Sequence, residues 1–297
     1  MATAFCPAHI TGFFKAELNK EDSKQLGSLG AGFSIQKGVK TTVTIRNKTK
    51  HDISNFTIKV NGFESGDMRV SEVVLSKFPT KEKFVDVIHE IDVPVGYGFG
   101  SSAAVALSLS IALNDALECK LSKIKVAQIA HDVEIECKTG LGDVLASYHG
   151  GFEIRDKPGA PGIGHVQKIA LNKISIIIIC FSPISTSKFI KERLPQINGL
   201  GEKMVNKLLE SKNYEHFQEM SLEFAKYVDV MTPRMQKVVN ELSKNNIKCG
   251  IALFGETIFS MIPKENENKV LEILEKYSDG IIIKSELDDV GARVLHN

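Results

Sequence analysis

The chain has 297 residues, with 37 lysine and arginine residues against 36 aspartate and glutamate residues, so its formal net charge is +1. This balance gives no electrostatic basis for binding nucleic acid or a membrane surface, and the length is sufficient for two domains with proper cores. Five cysteines are scattered without a C-x-x-C pair. That pattern argues for a reducing compartment and against a zinc site or a disulfide framework.

The hydropathy pattern indicates a cytoplasmic protein. Met1–Phe5 has neither a basic region nor a long apolar run, so we expect no signal peptide. The longest apolar run, Ile174–Phe181, is too short to span a bilayer. Since it lies between Lys173 and Pro183, it predicts a fully buried strand.

Strands and helices alternate along the chain, which predicts an α+β fold in two parts. The first part, residues 1–164, is expected to contain strands near Thr41–Ile45, Phe56–Val60 and Phe84–Asp92, and helices near Ser101–Leu117, Ser122–Cys137 and Val144–Tyr148. It ends in a loop rich in Gly and Pro, 157–164, which predicts the domain junction. The second part, residues 165–297, is expected to contain the buried strand, helices at Gly201–Ser211, Tyr214–Val230 and Pro233–Ser243, strands near Gly250–Phe254 and Thr257–Ile262, a helix near Asn268–Tyr277 and a strand at Gly280–Lys284.

The segment 94–104 combines three alternating glycines, a serine pair and the start of an apolar helix. Its residues of interest are Pro94, Gly96, Gly98, Gly100, Ser101, Ser102 and Ala103. Glycine lets the backbone turn sharply and approach a ligand, and the free N–H groups of a first helical turn attract anions. The segment therefore predicts a phosphate site, with a tight turn into a buried helix as the alternative.

Three familiar phosphate loops do not match this segment. A Walker A loop needs lysine and then Ser or Thr after its last glycine, and no lysine is present there. A dinucleotide fingerprint needs G-x-G-x-x-G, whereas the spacing here is G-x-G-x-G. Protein kinases carry H-R-D and D-F-G tripeptides, and neither occurs in the chain.

A second group of polar residues follows between His131 and Gly151. A kinase that acts on a hydroxyl needs one carboxylate to accept its proton and another to hold Mg²⁺. Asp143 and Glu134 are candidates for these roles. The alternatives are that Asp143 only caps a helix and that Glu134 lies on a solvated helix face.

The run P-x-G-x-G-x-G-S-S-A-A resembles the second motif of the GHMP kinases, which include galactokinase and the homoserine, mevalonate and phosphomevalonate kinases. The resemblance implies that the loop holds the ATP phosphates and that Ser102 helps to bind Mg²⁺. Thr139–Asp143 followed by Gly150-Gly151 is similar to the family segment beside the acceptor hydroxyl, which implies catalysis by Asp143 and a metal-binding role for Glu134. The family fold pairs an N-terminal domain like the second domain of ribosomal protein S5 with a ferredoxin-like C-terminal domain.

Two family motifs are altered here. The first usually has Ala-Pro-Gly, often followed by lysine, and His9 stands where that lysine often sits. As a catalytic candidate His9 donates to a phosphate or substrate oxygen; the alternative is a satisfied core histidine. The glycine-rich third motif is reduced to Gly250–Phe259, with a turn expected at Gly255-Glu256.

Several further segments resemble one branch of the family, whose acceptor is a small hydroxy acid with a carboxylate. Arg155 is a candidate clamp for that carboxylate, since guanidinium binds it bidentately, although a surface charge is the alternative. Gly30 and Gly32 are expected to offer a second backbone cradle for acceptor oxygens.

Other functions remain open at this point. The acceptor is alternatively homoserine, shikimate or mevalonate, because pocket shape selects it. A non-catalytic RNA-binding module and a degenerate regulatory kinase are the competing classes. The partners expected are ATP, Mg²⁺ and a small-molecule acceptor, with a homodimer as the candidate assembly.

Overall fold

The computed structural model describes residues 1–61, 63–64 and 68–296 and has the α+β fold that the sequence predicts. The strands are β1 (Ala2–Glu17), β2 (Gly27–Asn47), β3 (Phe56–Val60), β4 (Phe63–Glu64), β5 (Lys83–Ile91), β6 (Phe152–Lys157), β7 (His165–Ile169), β8 (Ile174–Pro183), β9 (Gly250–Ala252), β10 (Gly255–Pro263), β11 (Ile281–Ser285) and β12 (Arg293–Leu295). The helices are α1 (Arg69–Ser76), α2 (Ser101–Ala116), α3 (Lys123–Cys137), α4 (Asp143–His149), α5 (Thr186–Ser211), α6 (Tyr214–Tyr227), α7 (Pro233–Lys244) and α8 (Glu267–Leu274).

The first sheet has the order β12-β1-β2-β5-β3-β4. Its frame is the long antiparallel pair β1–β2, in which the register shifts at Pro7/Ala8 and at Thr11/Phe13. The early part of β2 also pairs with β6, from Gly30 opposite Arg155 to Phe33 opposite Phe152. β2 is therefore paired on both sides where the candidate acceptor residues lie.

β1 is a strand that the sequence did not predict. It contains Pro7 and Gly12, and it lacks the alternation of apolar and polar residues that marks a half-buried strand. In the structure nearly all of its residues are buried, so neither face shows a polar pattern. Contacts from both sides of the sheet stabilise β1 where local sequence does not.

The second sheet has the order β11-β8-β10-β9, all antiparallel. The isoleucine run forms β8, in the interior of this sheet, as predicted. The turn between β9 and β10 lies at Leu253–Phe254, two residues before the position expected, because Gly255 already begins β10. α5 begins at Thr186, well before the predicted Gly201, and continues through Pro195.

The two sheets do not divide the chain at residue 164. β7 pairs with β6 in the first sheet, and β12 returns from the end of the chain to pair with β1. The change of sheet falls at 170–173, between β7 and β8. The loop 157–164 is thus the turn of a hairpin.

One buried apolar cluster joins both sheets. Phe217 on α6 lies 5.8 Å from Phe13 and 5.1 Å from Phe152, measured between ring centroids, and 5.6 Å from Phe259 of the second sheet. A second cluster lies between the first sheet and helices α1, α2 and α3, and a third lies beneath α7 and α8. Among the described residues, no helix is both long and apolar enough to cross a membrane.

Candidate active site

The glycine loop leads directly into α2. Gly96, Gly98 and Gly100 have φ values of 86°, 85° and 57°, a region that side chains with Cβ rarely adopt. Gly100 is the residue before the helix, and no side chain caps the N–H groups of the first turn. The loop is therefore built as the sequence predicts, with its free donors at the start of α2.

These residues line a cleft. Of the predicted nucleotide residues, Gly96, Gly98, Gly100, Ser101, Ser102 and Ala103 line it, and Pro94 does not. The lining also includes Lys138, Thr139, Asp143 and Phe254. A neighbouring cavity lined by Val60, Val70, Ile91 and Val105 shares Ser101 and Ser102 with the cleft.

Asp143 is the first residue of α4, and its side chain does not cap that helix. Gly142 occupies the cap position, and no side-chain cap bond is formed. Oδ1 of Asp143 instead lies 2.8 Å from Nδ1 of His9 and accepts a 3.4 Å hydrogen bond from Thr11. The interpretation of Asp143 as a simple helix cap is therefore wrong.

Glu134 lies beside Asp143 inside the protein. It is 1 % exposed, so a solvated helix face is excluded. Among the described residues, neither carboxylate oxygen of Glu134 makes a hydrogen bond of normal geometry, although the backbone N–H groups of Val144 and Asp143 face this carboxylate. Burial, and then the charge of Asp143, raise the pKa of Glu134 well above its ordinary value. An unpaired buried carboxylate of this kind is suited to a cation.

His9 is fully buried and does not line the cleft. Its Nε2 lies 3.0 Å from Oε1 of Glu153, so both ring nitrogens face carboxylates. Burial lowers the pKa of His9, but the charge of Glu153 and the hydrogen bond with Asp143 raise it more, and the net shift is upward. The prediction that His9 donates directly to a phosphate or substrate is therefore wrong for this geometry.

Arg155 is also buried, which excludes the surface-charge alternative. It is 1 % exposed, and its Nη1 donates to Glu153 two residues earlier on β6. Its Nε has no partner among the described residues. That nitrogen points towards Gly142, where an added Cβ would lie 3.0 Å away.

Gly30 and Gly32 do not form the backbone cradle that was predicted. Both lie within β2, between β1 and β6, where their backbone groups face neighbouring strands and the N–H of Gly32 donates to Oε2 of Glu153. A Cβ at Gly32 would lie 2.5 Å from Nε2 of His9, and one at Gly30 would lie 2.6 Å from Nη2 of Arg155. These glycines provide the space that the His9 and Arg155 side chains occupy.

A smaller cavity adjoins the cleft at Asp143. Its lining residues are Thr11, Phe14, Ser28, Leu141, Gly142, Asp143, Arg155, Ile190 and Phe254. Asp143 and Phe254 line both spaces. The volume of the smaller cavity is about 10 Å³, roughly the space of a single water molecule.

Sequence reasoning did not identify Thr11, Glu153 or Phe254 as site residues. Glu153 alternates with the apolar residues Phe152 and Ile154, which is the pattern of a solvated strand face and gave no signal of burial. Phe254 stands in the altered third motif with φ 68°, an uncommon conformation for an aromatic residue. Such backbone outliers concentrate at functional sites, but they are visible only in a structure.

A glycine loop at a helix start, next to a pair of carboxylates on this fold, is the arrangement of the GHMP class of kinases. The family described as GHMP kinases N terminal domain matches residues 68–151. The chain is 34% identical to the pantoate kinase of Methanocaldococcus jannaschii over 277 residues, covering 91% of this chain and 96% of the relative. The chain therefore belongs to the pantoate kinase family, the branch of the GHMP kinases that its sequence resembles.

Two further similarities agree with this membership. The pantoate kinase of Thermococcus kodakarensis is 29% identical over 275 residues, covering 91% of each chain. A solved structure described as a phosphotransferase related to the CoA biosynthesis pathway superposes with a TM-score of 0.89 and 28% identity, covering 98% of this chain and 97% of the other.

Proposed function

We propose that this chain transfers the γ-phosphoryl group of ATP to the primary hydroxyl of pantoate, forming 4-phosphopantoate for coenzyme A synthesis. The observation that carries this proposal is the position of Asp143, which lines both the glycine-loop cleft and the smaller cavity beside Arg155. A carboxylate between a phosphate site and an acceptor site is what hydroxyl phosphorylation requires. Membership of the pantoate kinase family supports this acceptor over homoserine, shikimate or mevalonate.

In this proposal the glycine loop binds the triphosphate. Gly96, Gly98 and Gly100 let the backbone approach the phosphate oxygens. The N–H groups of Ser101 and Ser102 lie at the positive end of the α2 dipole, where they favour the negative charge of the phosphates. The neighbouring cavity combines apolar side chains, such as those of Val70, Ile91 and Val105, with the polar side chains of Ser71 and His89, and is the proposed site of the nucleobase.

Ser102 and Glu134 are the proposed protein ligands of Mg²⁺. Glu134 does not itself line the cleft, but it lies beside Asp143, which does, and its buried oxygens lack hydrogen bonds of normal geometry, which suits a metal ligand. Within the described ranges no three His, Cys, Asp or Glu side chains are arranged to hold a metal ion. Magnesium usually keeps several waters and takes further ligands from substrate phosphates. When bound, the ion supplies positive charge between the β- and γ-phosphates.

Pantoate is proposed to enter the smaller cavity. The unpartnered Nε of Arg155 faces this space and is the donor proposed for the acceptor's carboxylate. Thr11 and Ser28 add hydroxyl groups, while Phe14, Ile190 and Phe254 supply apolar surface for a branched carbon chain. Because this space now has room for about one water, binding requires the lining side chains to move apart.

Asp143 is proposed to orient the acceptor hydroxyl and accept its proton. The hydrogen bonds from His9 and Thr11 fix the carboxylate in place. Burial raises the pKa of Asp143, but the hydrogen bond and charge of His9 lower it more, so the carboxylate stays ionised. Since phosphoryl transfer has a loose transition state, a correctly placed acceptor for the proton is sufficient.

We also infer the finer organisation. The first sheet with α1–α4 corresponds to the S5-like domain and the second sheet to the ferredoxin-like domain, with the junction moved from residue 164 to 170–173. A cytoplasmic location and a homodimer are part of the same proposal.

An acceptor panel tests this function. The purified chain is incubated with Mg²⁺-ATP and pantoate, homoserine, shikimate or mevalonate, and ADP release is measured against an Asp143→Asn control. We expect turnover with pantoate and phosphate on its primary hydroxyl. Turnover with one of the other acceptors, and none with pantoate, would show that pantoate is not the substrate. ATP binding without turnover of any acceptor would indicate a degenerate kinase.

A further inference from the structure

A chain of charged side chains extends from Asp143 through His9 to Glu153, and the mechanism proposed above gives no role to Glu153. Nδ1 of His9 contacts Asp143 Oδ1 at 2.8 Å, and Nε2 contacts Glu153 Oε1 at 3.0 Å. Glu153 is itself anchored, because Gly32 N–H donates to its Oε2 at 3.0 Å and Arg155 Nη1 donates to its Oε1. His9 and Glu153 have no exposed surface.

The two carboxylates determine which protons the ring carries. An ionised carboxylate only accepts hydrogen bonds, and a neutral imidazole has one donor and one acceptor nitrogen. Both contacts are therefore satisfied only when His9 carries a proton on each nitrogen. The charged groups that face the ring are Asp143, Glu153 and Arg155, whose Nη1 lies 3.4 Å from Nε2.

The hydrogen bond from His9 has a consequence for the position of Asp143. Oδ1 of Asp143 lies 2.8 Å from Nδ1 of His9 and accepts a 3.4 Å hydrogen bond from the Thr11 hydroxyl. Because the ring of His9 is held in turn by Glu153, the direction of the Asp143 carboxylate depends on the position of Glu153.

Resting on the kinase activity proposed above, we propose that Glu153 is a positioning residue that acts through His9. Glu153 holds the ring in place as an imidazolium, and the ring donates Nδ1–H to Asp143, so that this carboxylate is aimed at the acceptor hydroxyl. Gly32 is part of the device, because a larger residue there would collide with the ring.

The protonation state of His9 is tested without any turnover. In ¹⁵N-histidine-labelled wild-type protein at pH 7.5, the His9 ring is assigned by its through-space contacts to Gly32. We expect both nitrogens to show imidazolium shifts, and Glu153→Gln to convert the ring to the neutral form. A neutral His9 ring in the wild-type protein would overturn the proposal, even if no variant folds.

Kinetics test the coupling to catalysis. Glu153→Gln preserves size and an acceptor for Gly32 N–H but removes the charge, and His9→Asn keeps a neutral donor near Asp143. We expect each to lower kcat by roughly 10- to 100-fold, since misplaced reacting groups have effects of that order. The KM for ATP should change by less than about twofold, because the loss is not in nucleotide binding.

The double variant should be no slower than the slower single variant, because coupled residues are not additive. Multiplied losses, or wild-type kcat in Glu153→Gln, would overturn the proposal.

A matched control separates this role from simple burial. Glu256 is 8 % exposed and pairs with Arg234, away from His9, so Glu256→Gln removes a comparable carboxylate. We expect its kcat to stay within about twofold of wild type, as for a change outside the reacting groups. If wild-type protein phosphorylates no acceptor, the proposed function fails, while the ¹⁵N spectra still decide the state of His9.

Discussion

Asp143 is the residue whose position separates two interpretations of the site. Its carboxylate contacts His9 and Thr11 and lines both cavities, while Gly142 holds the cap position of α4. A substitution at Asp143 would therefore not remove a helix cap. The same side chain that the sequence offers as a cap is, in three dimensions, a half-buried acceptor of hydrogen bonds.

Asp143→Asn is expected to remove most of the activity. The amide preserves the shape but cannot accept the hydroxyl proton, so kcat should fall on the order of 10²–10⁴, the usual scale for a general base. The KM for ATP should change little. Steady-state kinetics measure both, with circular dichroism as the check of folding. A variant that keeps more than about a tenth of wild-type kcat would contradict the catalytic role.

Ser102→Ala is expected to weaken the response to Mg²⁺. Loss of a hydroxyl ligand should raise the Mg²⁺ concentration for half-maximal activity by roughly tenfold, with a lower kcat. Ser110 in the same helix is fully buried and its hydroxyl has no partner among the described residues, so Ser110→Ala is a matched control that should leave the Mg²⁺ response unchanged. If activity depends on Mg²⁺ concentration in the same way in both variants, Ser102 is not a ligand of the metal ion.

At the scale of secondary-structure elements, the close approach of β1 and β2 determines the geometry of the site. Gly32 of β2 lies opposite Thr11 of β1, and its missing side chain leaves room for the His9 ring. β6 on the other side of β2 brings Glu153 and Arg155 to the same place. Three strands thus place one buried network, and glycines of β2 leave the space that its side chains occupy.

Gly32→Ala is expected to lower both stability and activity. The methyl group would lie 2.5 Å from Nε2 of His9, and overpacking of this kind costs about 1–3 kcal/mol. Displacement of His9 should also lower kcat. Gly199 of α5 is a control, because a Cβ there meets only the Tyr227 hydroxyl, at 3.2 Å. Thermal unfolding should show Gly199→Ala to be neutral or stabilised, and an equally stable Gly32→Ala would contradict the packing argument.

At the scale of the whole molecule, the two sheets share one core. Phe217 packs against phenylalanines of β1, β2, β6 and β10, so it joins the sheet that carries the proposed catalytic residues to the second sheet. The cleft lies where the two parts meet, since Phe254 of the β9–β10 turn lines it together with the glycine loop. The relative position of the two parts is therefore set by apolar packing.

Phe217→Ala is expected to destabilise both parts together. Truncation of a buried phenylalanine costs about 3–5 kcal/mol. Calorimetry and far-ultraviolet circular dichroism should report one transition at a lower temperature, because neither sheet retains a complete core alone. Tyr227→Ala, at a residue 51% exposed, is the aromatic control and should shift the midpoint little. Two separate transitions would show that the halves unfold independently.

Local features of the chain were predictable from sequence. The start of α2 at Ser101 and the buried strand β8 follow from glycine conformation, from helix-start chemistry and from a continuous apolar run. These features depend on neighbouring residues only, so their signal is present in the sequence itself. The proposed roles of Asp143 and Glu134 came from the motif resemblance, because composition alone favoured a cap for Asp143.

The sequence by itself determined the α+β class, the glycine loop and the family, because motifs and periodicity are properties of adjacent residues. Tertiary structure decided what His9, Gly32, Glu153 and Arg155 do. His9 and Glu153 are 144 residues apart in the chain and meet only through the register of β1, β2 and β6. Burial then changes their chemistry, since charges removed from water must be satisfied by one another. No local pattern contains that information.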